Sequence, residues 1–359
     1  MDIRSTGEDA YFAASNSAGG FCSYYGECFD APSINRVYAV KGGPGTGKSY
    51  FLRAVAEAAR KKGWRAEYIY CSSDPDSLDG LRLFSGKEGI ALLDATAPHV
   101  YEPMHPGVRE ELVDLGAFWN PVRLAESRER IAALHRQKKE AYGRAYRYLS
   151  GVESMTHLRD ELVAPFIKRE RIISFAARLA AEIPRGRGFS CEIALMHSIG
   201  MQGRVGFDTY LAKASRILRI EDCRGAGQYL LDAFGNLAPT RGWRMRVSHD
   251  PILADRPDGF FLPESGVAMV ICPEEECAYP HRRISMRRFV ETARMHGVRE
   301  ELNRAERTRR AMLAGAESAL REVRPIHGEL ERIYGQAMDF GAKEKFTKSF
   351  CERILGVPD

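Results

Sequence analysis

The chain has 359 residues, 44% hydrophobic and 28% charged, which is room for about two domains and the balance of a soluble globular protein. A net charge of +5 is mildly basic, short of what a dedicated nucleic-acid binder carries. The start, Met1-Asp2-Ile3-Arg4-Ser5-Thr6, has no apolar signal core, no window reaches the length of a membrane span, and the eight cysteines form no C-x-x-C pair; the expectation is a cytoplasmic protein with reduced thiols and no membrane partner.

In chain order, Asp9 to Ser15 reads as a short strand, and Gly19-Gly20 as a turn before the aromatic segment Phe21 to Phe29. Arg36 to Val40 is a β-branched and aromatic run typical of a buried strand. Ser49 to Arg60 has apolar residues at Phe51, Leu52, Val55 and Ala59, a helical spacing that Lys61-Lys62-Gly63 brings to a stop. Trp64 to Cys71 alternates as a second strand, and Ser72 to Gly80 is a loop rich in turn formers. Gly89 to Asp94 is a third strand, apolar until its final carboxylate, and the pattern from Pro121 to Ile183 is helical with Pro165 as its break.

Between the first strand and the first helix lies Gly42-Gly43-Pro44-Gly45-Thr46-Gly47-Lys48-Ser49, in which Gly42, Gly47, Lys48 and Ser49 fit the phosphate-binding pattern G-x-x-x-x-G-K-[ST]. Glycines let the backbone take positive φ and let its N–H groups close on phosphate oxygens. The helix dipole adds to the anion site where those donors converge. The expected ligand is ATP with Mg²⁺, held by the stretch Gly42 to Lys48 and by Ser49 and Tyr50 at the head of the helix. Lys48 would reach the β- and γ-phosphates, while the Ser49 hydroxyl and the strand-end Asp94 would ligate the metal.

Ala95 stands where many vigorous ATPases carry a glutamate, so slow hydrolysis is expected. Asp74, Asp76 and Asp79 follow the second strand and leave the carboxyl edge of the sheet; one of them could serve as a base or help hold Mg²⁺, although turn chemistry explains them equally well. Thr96 and His99 are placed to sense the γ-phosphate or to sit in a solvated loop.

The second half repeats the first at about 180 residues. Arg36 to Ser49 aligns with Arg216 to Tyr229, Gly63-Trp64-Arg65 with Gly242-Trp243-Arg244, Asp79-Gly80 with Asp258-Gly259, and Gly89 to Leu93 with Gly266 to Val270. Leu149 to Ser154 also resembles Leu313 to Ser318. The second copy has Gln228 for Lys48, Tyr229 for Ser49 and Ile271 for Asp94, so it is expected to be a structural partner without a triphosphate site.

The runs Lys41 to Ser49, Cys71 to Gly80 and Leu93 to His99 together resemble a poorly characterised bacterial family of duplicated P-loop ATPases. The resemblance spans nearly the whole chain. It implies ATP binding and hydrolysis through Gly42, Gly47, Lys48, Ser49 and Asp94, an acidic loop of unassigned role, and P-loop folds for both units; it names no acceptor or client.

Other features carry less. The basic stretch 121–187 with Tyr142, Tyr146 and Tyr148 reads as a solvated helical face more readily than as a grip on nucleic acid. Cys272, Cys277 and His281 lack a standard zinc spacing. Arg224, inside the degenerate loop, would be a finger toward the γ-phosphate if the two units face each other.

The expected fold is therefore α/β: two tandem P-loop NTPase-like units, each a mostly parallel sheet flanked by helices. The first spans 1–185 with a helical extension at about 121–183, and the second 186–359 with an extension at about 283–355. The expected function is Mg-dependent ATP binding with slow hydrolysis at one active and one degenerate site. The alternatives are phosphoryl transfer to a small acceptor and ATP-gated binding without catalysis.

Overall fold

The computed structural model describes residues 1–99, 101–273 and 277–356. The first half runs β1 (Asp2–Arg4), β2 (Asp9–Phe12), β3 (Ala14–Ser17), β4 (Gly20–Ser23), α1 (Tyr25–Phe29), β5 (Arg36–Lys41), α2 (Lys48–Lys61), β6 (Arg65–Tyr70), β7 (Leu78–Ser85), β8 (Glu88–Asp94) and β9 (Glu110–Asp114). Three helices follow, α3 (Pro121–Glu126), α4 (Arg128–Val163) and α5 (Arg169–Ala181). The second half runs β10 (Ser190–Ile193), β11 (His197–Gly200), β12 (Gly203–Phe207), α6 (Thr209–Lys213), β13 (Arg216–Glu221), α7 (Ala226–Gly235), α8 (Ala238–Arg241), β14 (Arg244–His249), β15 (Pro257–Leu262), β16 (Val267–Ile271) and β17 (Arg282–Ser285). It ends in α9 (Arg299–Gln336) and α10 (Phe340–Leu355).

The two halves build the same sheet twice. The first has strand order β2-β6-β7-β8-β5-β9 and the second β10-β14-β15-β16-β13-β17, with matching parallel and antiparallel joints. Five of the six strands in each sheet run the same way, as a mostly parallel sheet requires, and one antiparallel strand, β7 or β15, makes each sheet mixed. In the first, β7 runs against both neighbours, because the turn at Ser72–Ser77 is short enough to return the chain directly beside β6. That strand begins at Leu78, inside the stretch read as loop, and β9 is a further strand that no sequence pattern announced.

β5 is buried along its middle and sits between β8 and β9, all three parallel, so their carboxyl ends open on one edge. The two sheets meet through paired hydrogen bonds between Phe12 and Leu195. Fully buried Glu67 lies between them and takes ion pairs from Arg82 and Arg246. One apolar core runs from Tyr11, Val40 and Leu92 of the first half to Leu195 and Phe261 of the second, and Phe350 of α10 is part of it.

The long helices α4 and α9 pack antiparallel as a pair of arms. Buried residues recur at Leu134, Ala141, Ala145, Leu149, Val152 and Thr156 on α4 and at Leu313, Ala316, Leu320, Val323 and Leu330 on α9, mostly three or four apart. That is the spacing of a two-helix seam. The arms cross near Gly151 and Gly315, which lie against Met312 and Tyr148 respectively. Each arm starts at its own sheet and ends at the other one.

Candidate functional site

The loop after β5 is shaped by its glycines. Gly45 and Gly47 adopt φ of 72° and 75°, the left-handed region that other residues enter at a cost. Gly47 is the N-cap of α2 and supplies no side-chain acceptor, so the first amides of the helix are left for another partner. The buried Thr46 hydroxyl donates to the Gly43 carbonyl at 2.9 Å, and the Thr96 hydroxyl donates to the Gly42 carbonyl at 2.8 Å, which fixes both ends of the loop. Lys48 folds over it, donating to the carbonyl of Gly43 at 2.9 Å and to that of Gly42. The Ser49 hydroxyl accepts from the amide of Leu78 at 2.9 Å. Pro44 lies within the loop, and Tyr50 stands exposed in the first turn of the helix.

Asp94 pairs in register with Val40 at the end of the neighbouring strand, so its carboxylate arrives beside the loop, 3.4 Å from the Lys48 ammonium. Its other oxygen accepts from the Thr96 amide at 2.8 Å. Burial pushes the Asp94 carboxyl up, and nearby Asp79 adds to that against the pull of Lys48. Asp79 is itself buried and pairs with His99, Nε2 to Oδ2 at 3.1 Å. Burial would raise Asp79, but His99, Cys71 and Lys48 outweigh it and hold the carboxyl below its ordinary range. For His99 the burial that lowers it is outweighed by Asp79, so the imidazole is raised.

The acidic loop is therefore divided. Asp79 joins Lys48 and Asp94, and Thr96 and His99 join them too. Asp76 turns away to Arg4 at 2.8 Å and Gln202 at 2.7 Å, and Asp74 accepts from Gln202 at 3.0 Å and from the Ser77 hydroxyl at 3.2 Å.

The arms close over the same edge. The backbone carbonyl of Glu331 on α9 lies so near Gly45 that no side chain fits there, and Trp119 and Tyr334 face Gly43. Lys138 of α4 and His327 of α9 continue the three-and-four spacing of the buried seam and meet at 3.2 Å, Nζ to Nδ1. Burial, then Lys138 and Lys48, push His327 down to about 4, and burial lowers Lys138. These two residues had no local sequence motif; the available signal was a polar residue at an otherwise apolar seam position.

No family model, curated protein or solved structure matches the chain.

The second loop is built differently. α7 starts at Ala226 behind Gly225, two positions earlier in the alignment than α2 starts behind Gly47. Asp222, which aligns with Gly42, turns its carboxylate into the loop and accepts from the amides of Gly225 at 2.8 Å and Gly227 at 2.6 Å. Gln228 bonds along its own helix to Asp232, and the Tyr229 ring lies under Arg169. Asp160 and Arg159 at the far end of α4 face Gly225. The two loops thus sit at opposite ends of the arms, about 40 Å apart at 1.5 Å per residue. Arg224 cannot be a finger toward Lys48 within one chain.

Ser49 and Asp94 offer a hydroxyl and a carboxylate, hard oxygen donors of the kind Mg²⁺ takes alongside water and phosphate oxygens, so the residues present fit that ion. At Cys272, Cys277 and His281 the fit is poor: His281 Nε2 accepts from Arg219 at 3.0 Å, and among the described residues no group of three His, Cys, Asp or Glu could hold a metal. No helix among the described residues is long and apolar enough to cross a membrane.

Proposed function

We propose that the first unit binds Mg-ATP in the Gly42–Ser49 loop and hydrolyses it slowly, and that the second unit is a scaffold with no triphosphate site. The reading is carried by one observation: a strand, a glycine loop with Gly47 as helix cap, and Lys48 lying 3.4 Å from a carboxylate on the adjacent strand. The resemblance to duplicated P-loop ATPases is part of the same proposal.

In this reading the loop amides and Lys48 bind and orient the β- and γ-phosphates, and they stabilise charge on the transferring group. Mg²⁺, held by Ser49 and Asp94, would supply further neutralisation of that charge. The arms exclude bulk water from the edge of the sheet, which strengthens each of these interactions. With Ala95 after Asp94, the nearest group to order an attacking water is the buried Asp79–His99 pair, an arrangement that suits low turnover.

A gated role is the second reading, favoured by the contact of α9 with Gly43 and Gly45: triphosphate binding would bear directly on arm packing. Transfer to a small acceptor has less support, since Asp74 and Asp76 are engaged by Gln202 and Arg4. Phosphate release from Mg-ATP by the full chain separates these readings. Slow release without an acceptor, lost in Lys48→Ala, supports hydrolysis; tight binding with no release supports gating; release or transfer only when a small acceptor is added supports the phosphotransferase.

A further inference from the structure

Resting on the nucleotide-binding reading, we propose that α10 completes the site with a nucleoside and α-phosphate subsite made of Lys343, Phe340 and Tyr50. The last helix of the second half would then supply the wall that distinguishes a nucleotide from a bare polyphosphate.

The first observation is a poorly compensated charge. Lys343 is only 3% exposed, and among the described residues its ammonium has neither an ion-pair partner nor a hydrogen-bond acceptor; Glu344, the next residue of α10, attracts it without forming an ion pair. Its neighbours are two rings, Tyr50 at 5.0 Å and Phe340 at 5.4 Å from the nitrogen to the ring centres. It also points at the head of α2, where a Cβ on Gly47 would lie 2.7 Å from Nζ. The positive end of a 14-residue helix is an unfavourable place for a buried cation. Two cation–π contacts offset only part of the cost. An anion docked on the first-turn amides would reverse the sign, turning Lys343 from a liability into a ligand.

The second observation is the pair of rings. Tyr50 is 62% exposed and Phe340 47%, large aromatic surfaces beside the phosphate loop that the fold itself does not cover. A purine stacked there would bury them, with its α-phosphate directed to the Tyr50 amide and Lys343. Burial lowers the ammonium's affinity for its proton, which agrees with a site completed by negative charge.

Calorimetric titration of the full chain with Mg-ATP, Mg-ADP and Mg-tripolyphosphate tests the subsite. Mg-ATP should bind at least about tenfold more tightly than tripolyphosphate, each tenfold being about 1.4 kcal/mol. Lys343→Gln should weaken ATP and ADP about tenfold, with Lys343→Arg recovering most of the loss. Tyr50→Ala and Phe340→Ala, at exposed rings, should weaken ATP and leave tripolyphosphate unchanged. Without ligand, Lys343→Gln should melt no lower than the parent protein, because a merely structural lysine would show the opposite. Parent-level ATP affinity in Lys343→Gln and in both ring variants, or equal binding of ATP and tripolyphosphate, overturns the subsite alone. Absence of binding by either compound to the parent protein overturns the phosphate-loop reading and the subsite with it.

Discussion

The two glycine loops of this chain follow equivalent strands of equivalent sheets, yet they have opposite electrostatic designs. The loop at Gly42–Ser49 presents amides, Lys48 and, from the arms, Lys138, whose ammonium bonds the neutral His327 ring. The loop at Asp222–Tyr229 has already satisfied its amides with its own carboxylate, Asp222. In the proposed reading the second loop is closed to anions in two ways: Gln228 stands where the first loop has Lys48, and Asp222 places an internal anion on the loop amides. With both in place, restoring the lysine alone would not restore a site.

The largest expected effect breaks the comparison at its centre. Lys48→Ala should abolish the thermal stabilisation that ATP confers, a term of about 2.7 kcal/mol at a ligand concentration one hundred times Kd, whereas Gln228→Ala should leave it intact. A differential scan with and without Mg-ATP reads both; equal losses would mean that the second loop takes part in binding.

Next come the glycines that face the arms. Gly45→Ala sets a methyl against the backbone of Glu331 at positive φ, and a backbone in a packed helix cannot step aside; a loss of about 2–4 kcal/mol is expected in denaturant unfolding. Gly225→Ala meets side-chain atoms of Asp160 and Arg159, which can rotate, so only about 1–2 kcal/mol should go. The reverse order would mean that the arms are not docked on the first loop.

A smaller effect belongs to the internal anion. Asp222→Ala removes the acceptor of two amides at the head of α7 and should cost about 1 kcal/mol. It should not create ATP binding, because the ammonium and the hydroxyl remain absent. ATP binding gained by that single change would show that the missing lysine matters less than the carboxylate plug.

The smallest effect is in pH, and it distinguishes the first loop's surroundings. His327 holds its proton only below about 4, against an ordinary 6.5, so between those values the unfolded chain takes up a proton that the folded protein refuses. Stability should therefore fall as pH drops from 6.5 to 4, and His327→Gln should flatten that limb by a few degrees in Tm. His99 has the opposite sign. Its value is raised, so its contribution is complete below 6.5 and is lost as pH rises through the folded value; His99→Gln should flatten the alkaline limb instead.

Much of the frame was legible in the sequence. Strand β5, the loop and α2 are contiguous, so local pattern sufficed, and the repeat landmarks fall on equivalent strands. Asp94 was readable because an apolar strand ending in a carboxylate needs no long-range information. The antiparallel β7 was hidden by the turn formers ahead of Leu78, and β9 by the long segment between it and β8. The arms' exchange, and with it Lys138, His327 and Lys343, was not readable: these residues lie far from the loop in sequence and acquire meaning only when helices from both halves cross. Asp222 carried a usable hint, an acidic residue a few positions before a helix start, but in the alignment it appeared only as a lost glycine.

The most direct measurement of the central claim is the stoichiometry of Mg-ATP binding to the purified chain by calorimetry. One site per chain that disappears in Lys48→Ala is the predicted result. Two equivalent sites, or no heat beyond dilution at millimolar nucleotide, would contradict the assignment of an open first loop and a self-filled second.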